Sequence, residues 1–243
     1  MKNKVAMITG ASVGIGRAVA LQMAEKGSKL VLLDTNEEML TKLQEELKAY
    51  NTEVLTFVCD VSSEESVNGA VSAAIEKFGS IDILINNAAI WRVRSVFWQT
   101  SIETWRKLID VNVMGVIYCT NAVLPKMIEN GYGRIVNVAS VAGVYGNAKM
   151  SAYSATKGAL ISMSQALAKE VIDMGIIVNC VSPGTVSPSD CRDIEFTQET
   201  TLSYAGRTGS DRENADLICF LASEKNGYVV GQNIQIDGCR KLL

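Results

Sequence analysis

Seven short apolar and β-branched runs recur along the chain, separated by longer stretches in which apolar positions return at a helical spacing. The runs are KVAMIT, KLVLLD, EVLTFVCD, IDILIN, RIVNVA, IIVNCV and NIQID, each bounded by turn-forming residues. Most are apolar at consecutive positions, which predicts central strands of a parallel sheet covered on both faces. The intervening stretches have room for crossover helices. After Asn36, the positions Leu40, Leu43 and Leu47 mark one buried helical stripe. A hydroxyl followed three residues later by a carboxylate predicts capping boxes at Ser62 with Glu65, Thr100 with Glu103 and Ser210 with Glu213. Gly27, Gly79, Gly131 and Gly175 close helical segments. The alternation predicts an α/β fold: one Rossmann-type, doubly wound domain over residues 1–243, with helices on both faces of its sheet. A single aperiodic stretch, Gly184 to Gly206, interrupts it and is expected to close over substrate.

Composition narrows the function. A net charge of -3 without any run of lysine or arginine gives no electrostatic footprint for nucleic acid or an anionic membrane, so neither partner is expected. The first apolar segment begins near Val5, too early for a signal peptide, and the apolar runs are far below the ~20 residues of a spanning helix. A cytoplasmic protein is expected. Six cysteines lack any C-x-x-C spacing, which argues for reduced thiols and against a zinc site or redox pair. The absence of histidine excludes a Ser-His-Asp triad, a Cys-His dyad and a histidine-ligated metal. No metal is expected, and any general acid or base must be a carboxylate, lysine, cysteine or tyrosine.

Two places carry candidate chemistry. TGASVGIG, Thr9 to Gly16, follows the first strand and opens the first helix, where glycines let a pyrophosphate approach backbone amides at the positive helix end. Asp34 ends the second strand, where a carboxylate can accept hydrogen bonds from both ribose hydroxyls and repel a 2'-phosphate. No cation follows at Thr35 or Asn36, and Val13 stands in the turn, so NAD is favoured over NADP. The competing role for Asp34 is a turn or helix-capping residue. In YSATK, Tyr153 and Lys157 stack one helical turn apart, so the ammonium, strengthened by a cationic nicotinamide ring, is expected to lower the phenol's pKa and make it a usable acid and base. Ser140, after the fifth strand, lies at the carboxyl edge where open α/β sheets bind ligands.

Taken together, TGASVGIG, Asp60-Val61, NNAA at Asn86 to Ala89, Asn112, Ser140, Tyr153 with Lys157, and SPG at Ser182 to Gly184 resemble the short-chain dehydrogenase/reductase family over nearly the whole chain. The resemblance implies a seven-stranded sheet, a nicotinamide cofactor and a homotetramer. It implies cofactor contacts from Gly10, Ser12, Val13, Gly14, Ile15, Gly16, Asp34, Asp60, Val61, Asn87, Ala88, Tyr153, Lys157, Pro183, Gly184 and Val186, with Asp60 meeting the adenine and Asn86 beside the cofactor. Ser140 would orient the substrate oxygen, Tyr153 would transfer its proton, and Asn112 would hold a water that returns protons through Lys157. Three positions depart from the family pattern: Ala89 for a glycine, Cys239 for the second glycine of a terminal Asp-Gly-Gly, and Pro188 where a threonine often holds the nicotinamide amide. Ser187 or Ser189 could replace that hydroxyl.

The expected activity is therefore NAD-linked interconversion of a secondary alcohol and ketone, the substrate being a hydroxysteroid, a polyol or similar. Much of the chain is similar to bacterial 3-oxoacyl-(acyl-carrier-protein) reductases, which makes that activity the alternative, though those enzymes usually take NADPH. A methyltransferase would have no use for Ser140, Tyr153 and Lys157 together, and a dinucleotide sensor would typically lose one of the last two. Trp91 is a candidate pocket wall beside Ser140 and Tyr153; Arg92 or Arg94 could attract an anion, whereas Asp190, Asp193, Glu195 and Glu199 in the long loop would oppose one.

Overall fold

The computed structural model describes residues 1–187 and 192–241, so Pro188, Ser189, Asp190 and Cys191, with the roles expected of them, lie outside the described residues. The seven apolar runs form seven strands: β1 (Val5–Thr9), β2 (Lys29–Asp34), β3 (Val54–Val58), β4 (Ile83–Asn86), β5 (Gly133–Val138), β6 (Ile176–Pro183) and β7 (Asn233–Ile236). They make one parallel sheet in the order β3-β2-β1-β4-β5-β6-β7. Chain direction across the sheet reverses between β1 and β4, and that switch point opens a crevice at the carboxyl ends of the strands.

Alternation along each strand divides the core. Ala6 and Ile8 of β1 and Leu30 and Leu32 of β2 face one layer, where they meet helices α1 (Gly14–Glu25), α2 (Glu37–Leu47) and α8 (Asp211–Leu221). Val5, Met7, Val31 and Leu33 face the other, against α3 (Glu64–Phe78), α5 (Gly115–Asn130) and α7 (Ser151–Val171). The predicted stripe of Leu40, Leu43 and Leu47 is buried on α2. The edge strands differ from the central ones: β3 and β7 are only partly buried, because each pairs with a strand on one side only.

Two predicted helix starts shift by one residue. Only Ser210 with Glu213 forms a capping box. Ser63 and Ser101 cap α3 and α4 (Ile102–Ile109) instead. Ser62 is unavailable because its N–H and hydroxyl both donate to Asp60, and the Thr100 hydroxyl donates to the Val96 carbonyl. Helices α4 and α5 run on through a π turn at Asp110–Met114, giving one continuous helix that by length and composition could cross a membrane. Strand-sized apolar runs did not predict so long a segment. It is a sheet-covering helix: Val116, Cys119, Val123 and Met127 are buried in the core. A short α6 (Ala142–Tyr145) lies between β5 and α7.

Candidate active site

Glycine governs the turn between β1 and α1. A Cβ at Gly16 would lie 2.0 Å from the Gly10 carbonyl oxygen and 2.6 Å from Asn87 Nδ2, so only glycine lets α1 begin this close to the strand ends. Gly10, Val13, Gly14 and Ile15 line the resulting cleft, whereas Gly16 is buried behind them and shapes the turn from within. No side chain caps α1 at Val13, in contrast to α2, α3, α4 and α8. Its first backbone donors therefore face the cleft without a side-chain partner, which is what an anionic ligand requires of a helix start.

Asp34 lines the same cleft. Its Oδ2 accepts from the Ser12 N–H at 3.0 Å and from the Ser12 hydroxyl at 2.7 Å, and its Oδ1 accepts from the Asn36 N–H at 3.1 Å. The turn role weighed against ribose binding is thus present, and it fixes the carboxylate on the wall without exhausting its acceptor sites. Ser12 itself is buried and does not line the cleft; its hydroxyl orients Asp34. Asp60 and Val61 form the neighbouring wall. Asn87 and Ala88 also line it, held by their N–H groups, each donating to Thr9 Oγ1 at 3.0 Å. Asn86, expected beside the cofactor, is instead buried among Asn137 and Thr120, because the last residue of β4 points into the layer under the cleft.

The cleft holds about 740 Å³ and continues from these residues to Ser140, Tyr153 and Lys157. Helix α7 carries the last two, and the Ser140 hydroxyl accepts from the Ala142 N–H at 3.1 Å. Burial pushes the Tyr153 phenol above its ordinary pKa, and hydrogen bonding with Ser140 pulls the other way. The Lys157 ammonium, expected with the cationic nicotinamide to make the phenol acidic, donates to the Val138 carbonyl at 2.7 Å and stands 5.8 Å from the Tyr153 ring centroid; in the chain alone burial is the larger influence on the phenol. Burial also lowers Lys157 itself to about 8.

That shift has a testable sign. A lysine pKa lower in the folded than in the unfolded chain means the folded state holds fewer protons between about 8 and 10.5, so this group makes stability rise with pH across that window. Lys157→Met is expected to flatten the rise, measured as urea unfolding midpoints of both proteins at the two ends of the window. Parallel pH profiles for variant and wild type would contradict it.

Asn112, in the π turn, does not line the cleft. Its Oδ1 accepts from the Ile90 N–H at 2.8 Å, and its Nδ2 donates to the Ile90 carbonyl at 3.0 Å and to Thr156 Oγ1 at 3.2 Å. Thr156 in turn donates to the Tyr153 carbonyl at 2.7 Å. With its amide committed to these partners, Asn112 ties the segment after β4 to the turn of α7 that carries Tyr153; it positions the site and touches neither Lys157 nor the open volume.

The far wall comes from Pro183, Gly184, Thr185, Val186 and Ser187, with Trp91 and Arg94 opposite. Arg92 stacks on the Trp91 ring at 4.9 Å. Ala89, one of the departures, lines the cleft, and Cys239 has a positive φ of 58° beside Gly238. The Ser187 hydroxyl is turned into the loop, bonded to Phe196 and Thr208, so it is not offered to the cleft as a replacement hydroxyl. Asn147, Met150, Leu202, Asp211 and Arg240 also line the cleft and were not singled out from sequence. Asp211 is legible only as the first residue after a capping serine; burial raises its carboxyl to about 6, opposed by the nearby Arg17. Among the described residues, no group of three or more metal-ligating side chains occurs.

A strand-end cleft with an uncapped helix start at one end and a serine, tyrosine and lysine at the other is the architecture of a dinucleotide-linked oxidoreductase. The chain belongs to the short-chain dehydrogenase family, whose model matches residues 4–199. A 3-oxoacyl-(acyl-carrier-protein) reductase of Thermotoga maritima is 39% identical over 241 residues, spanning 98% of each chain. A 2-dehydro-3-deoxy-L-rhamnonate dehydrogenase (NAD(+)) of a Sphingomonas species is 34% identical over 240 residues, 98% of this chain and 95% of the relative. The solved structure of an NAD+-bound xylitol dehydrogenase is similar at a TM-score of 0.89 and 32% identity, covering 98% of each chain.

Proposed function

We propose that the protein interconverts a secondary alcohol and a ketone with NAD as its cofactor, and that Tyr153 transfers the proton. The observation that carries this is the convergence of Tyr153, Ser140 and Lys157 on one cleft whose other end holds Asp34 and the uncapped start of α1. The first amides of α1, with Gly10, Val13, Gly14 and Ile15, would hold the pyrophosphate. Asp34 would accept from the ribose, Asp60 and Val61 would flank the adenine, and Asn87, Ala88, Lys157, Pro183, Gly184 and Val186 would border the nicotinamide half. Bound there, the dinucleotide supplies the hydride donor or acceptor and, when oxidised, a positive charge.

The chain's own residues do the rest. A phenol held protonated by burial is ready to donate its proton to a carbonyl oxygen, and Ser140 holds that oxygen beside it. In the reverse direction Tyr153 must first lose its proton, so alcohol oxidation rises with pH while ketone reduction falls. Lys157 keeps a cation one turn away, and Asn112 secures the turn on which both sit.

A second reading, reduction of a 3-oxoacyl thioester, draws on the likeness to the Thermotoga maritima reductase. Asp34 weighs against it, given the NADPH preference that the resemblance attaches to those reductases. The xylitol and rhamnonate relatives, named with NAD, weigh toward the first reading. Thermal unfolding with added NAD, NADP or S-adenosylmethionine separates these from a methyltransferase, because only a bound ligand raises the midpoint. NAD is expected to raise it most. A panel of secondary alcohols followed by nicotinamide absorbance then tests turnover; NAD binding without turnover of any alcohol or ketone would favour a dinucleotide sensor.

We also propose a cytoplasmic homotetramer. Phe97, Trp98 and Ile102 are 63%, 81% and 67% exposed at the start of α4, and Tyr228 is 98% exposed before β7, so large apolar side chains are exposed at both places. Light scattering is expected to give four times the 26.2 kDa chain mass; a monomer would overturn this.

A further inference from the structure

The cleft carries two arginines that proton transfer does not use. Arg240 is half-buried, lines the cleft with Tyr153, and donates to Asn147 Oδ1 at 2.9 Å. Both partners are held. The Asn147 N–H donates to the Ser154 hydroxyl at 3.2 Å, next to Tyr153 on α7. Arg240 bridges to Ser203, and the following Lys241 N–H donates to the Leu202 carbonyl at 2.9 Å, which pins the C-terminal segment along the long loop. Arg94 lines the same cleft from the segment after β4, and its neighbour Ser95 donates its N–H to the Lys149 carbonyl at 2.8 Å. The two arginines thus flank the turn from Asn147 to Met150.

Among the described residues neither Arg94 nor Arg240 makes an ion pair. The described carboxylates of the cleft belong to its cofactor end: Asp34 ends β2, Asp60 follows β3, and Asp211 faces Arg17 of α1. Of the loop acids expected to repel an anion, Asp193, Glu195 and Glu199 are exposed and do not line the cleft, and Asp190 lies outside the described residues. A guanidinium with one donor engaged by an asparagine keeps further donors in a planar fork that matches a carboxylate.

We propose that the substrate carries a carboxylate in addition to its reacting hydroxyl, and that Arg240, supported by Arg94, binds it. This rests on the oxidoreductase reading above. The carboxylate is unchanged in the reaction: the carbinol C–H leaves as hydride to NAD, the O–H proton goes to Tyr153 and then to water, and a keto acid, NADH and one proton result.

The test uses the purified full chain with matched sets of hydroxy acid, its methyl ester and the neutral alcohol of equal carbon count, the carboxylate placed at increasing distance from the carbinol. The best acid is expected to exceed its ester by about 10- to 100-fold in kcat/KM, the range for a hydrogen bond to a charged group. Arg240→Gln should bring that ratio close to one, mainly by raising KM for the acid, and Arg240→Lys should leave an intermediate ratio. NAD-induced thermal shifts of each variant verify folding. Equal use of acids and esters, or an acid preference that survives Arg240→Gln, would overturn the proposal. If neutral alcohols are oxidised without any acid preference, the carboxylate proposal fails and the oxidoreductase reading stands; if no member of any set is oxidised, both fail.

Discussion

Tyr153→Phe is expected to lower turnover by about 10²- to 10⁴-fold, the usual contribution of a positioned general acid or base, while leaving NAD affinity nearly unchanged. The substitution removes one oxygen and keeps the ring. Packing of α7 is retained, and the Lys157 ammonium keeps its bond to the Val138 carbonyl. What disappears is the group that exchanges a proton with the substrate oxygen, and the chain has no histidine to take its place. Ser140 is a poor substitute: an aliphatic hydroxyl is far less acidic than a phenol, and its oxygen already accepts from the Ala142 N–H. Steady-state rates read beside NAD titrations check both halves of the expectation, and substantial residual turnover would remove Tyr153 from the chemistry.

Asp34→Ala carries the second large effect. Loss of a charged acceptor for the ribose is expected to weaken NAD binding by about 10- to 100-fold and to relax discrimination against NADP, whose 2'-phosphate no longer meets a carboxylate. The structure adds a complication that sequence does not show. Asp34 also holds the Ser12 N–H and hydroxyl, so the alanine variant loosens the glycine turn as well as the ribose site. Asp34→Asn separates the two. Its amide oxygen can still accept from Ser12, but the negative charge is gone, so NADP discrimination should relax while the turn remains intact. Unchanged cofactor preference in both variants would remove Asp34 from the ribose site.

The strands were legible because a sheet covered on both faces demands consecutive apolar residues, and the central strands obey that demand. The least buried strands, β3 and β7, lie at the edges, where the demand is halved. Helix starts at Ser62 and Thr100 shift by one residue because adjacent hydroxyls compete for the cap, and local turn partners, Asp60 two residues back and the Val96 carbonyl four residues back, engage the first of each pair. In the site, side chains on one local element were legible: Tyr153 and Lys157 share a helix face, and the glycine turn opens α1. The family resemblance gives Asn86 and Asn112 their roles at the cleft, and the side chains of both are buried hydrogen-bonding groups beneath it. Burial of the Tyr153 phenol leaves no sequence signal, since burial is a property of the assembled fold. Arg240 and Asn147 left no sequence signal; they meet across 93 positions of chain only when the C-terminal segment returns to the mouth of the cleft.

A hydrogen with its electron pair is expected to pass between the substrate's carbinol carbon and a nicotinamide held in this cleft. Incubation of the protein with NAD and secondary alcohols deuterated at the carbinol carbon, followed by mass spectrometry of the nucleotide, measures that passage directly. Reduced nucleotide carrying one deuterium is expected from the alcohols that are oxidised. Reduced nucleotide without deuterium, or no reduction across the whole panel despite bound NAD, would contradict the claim.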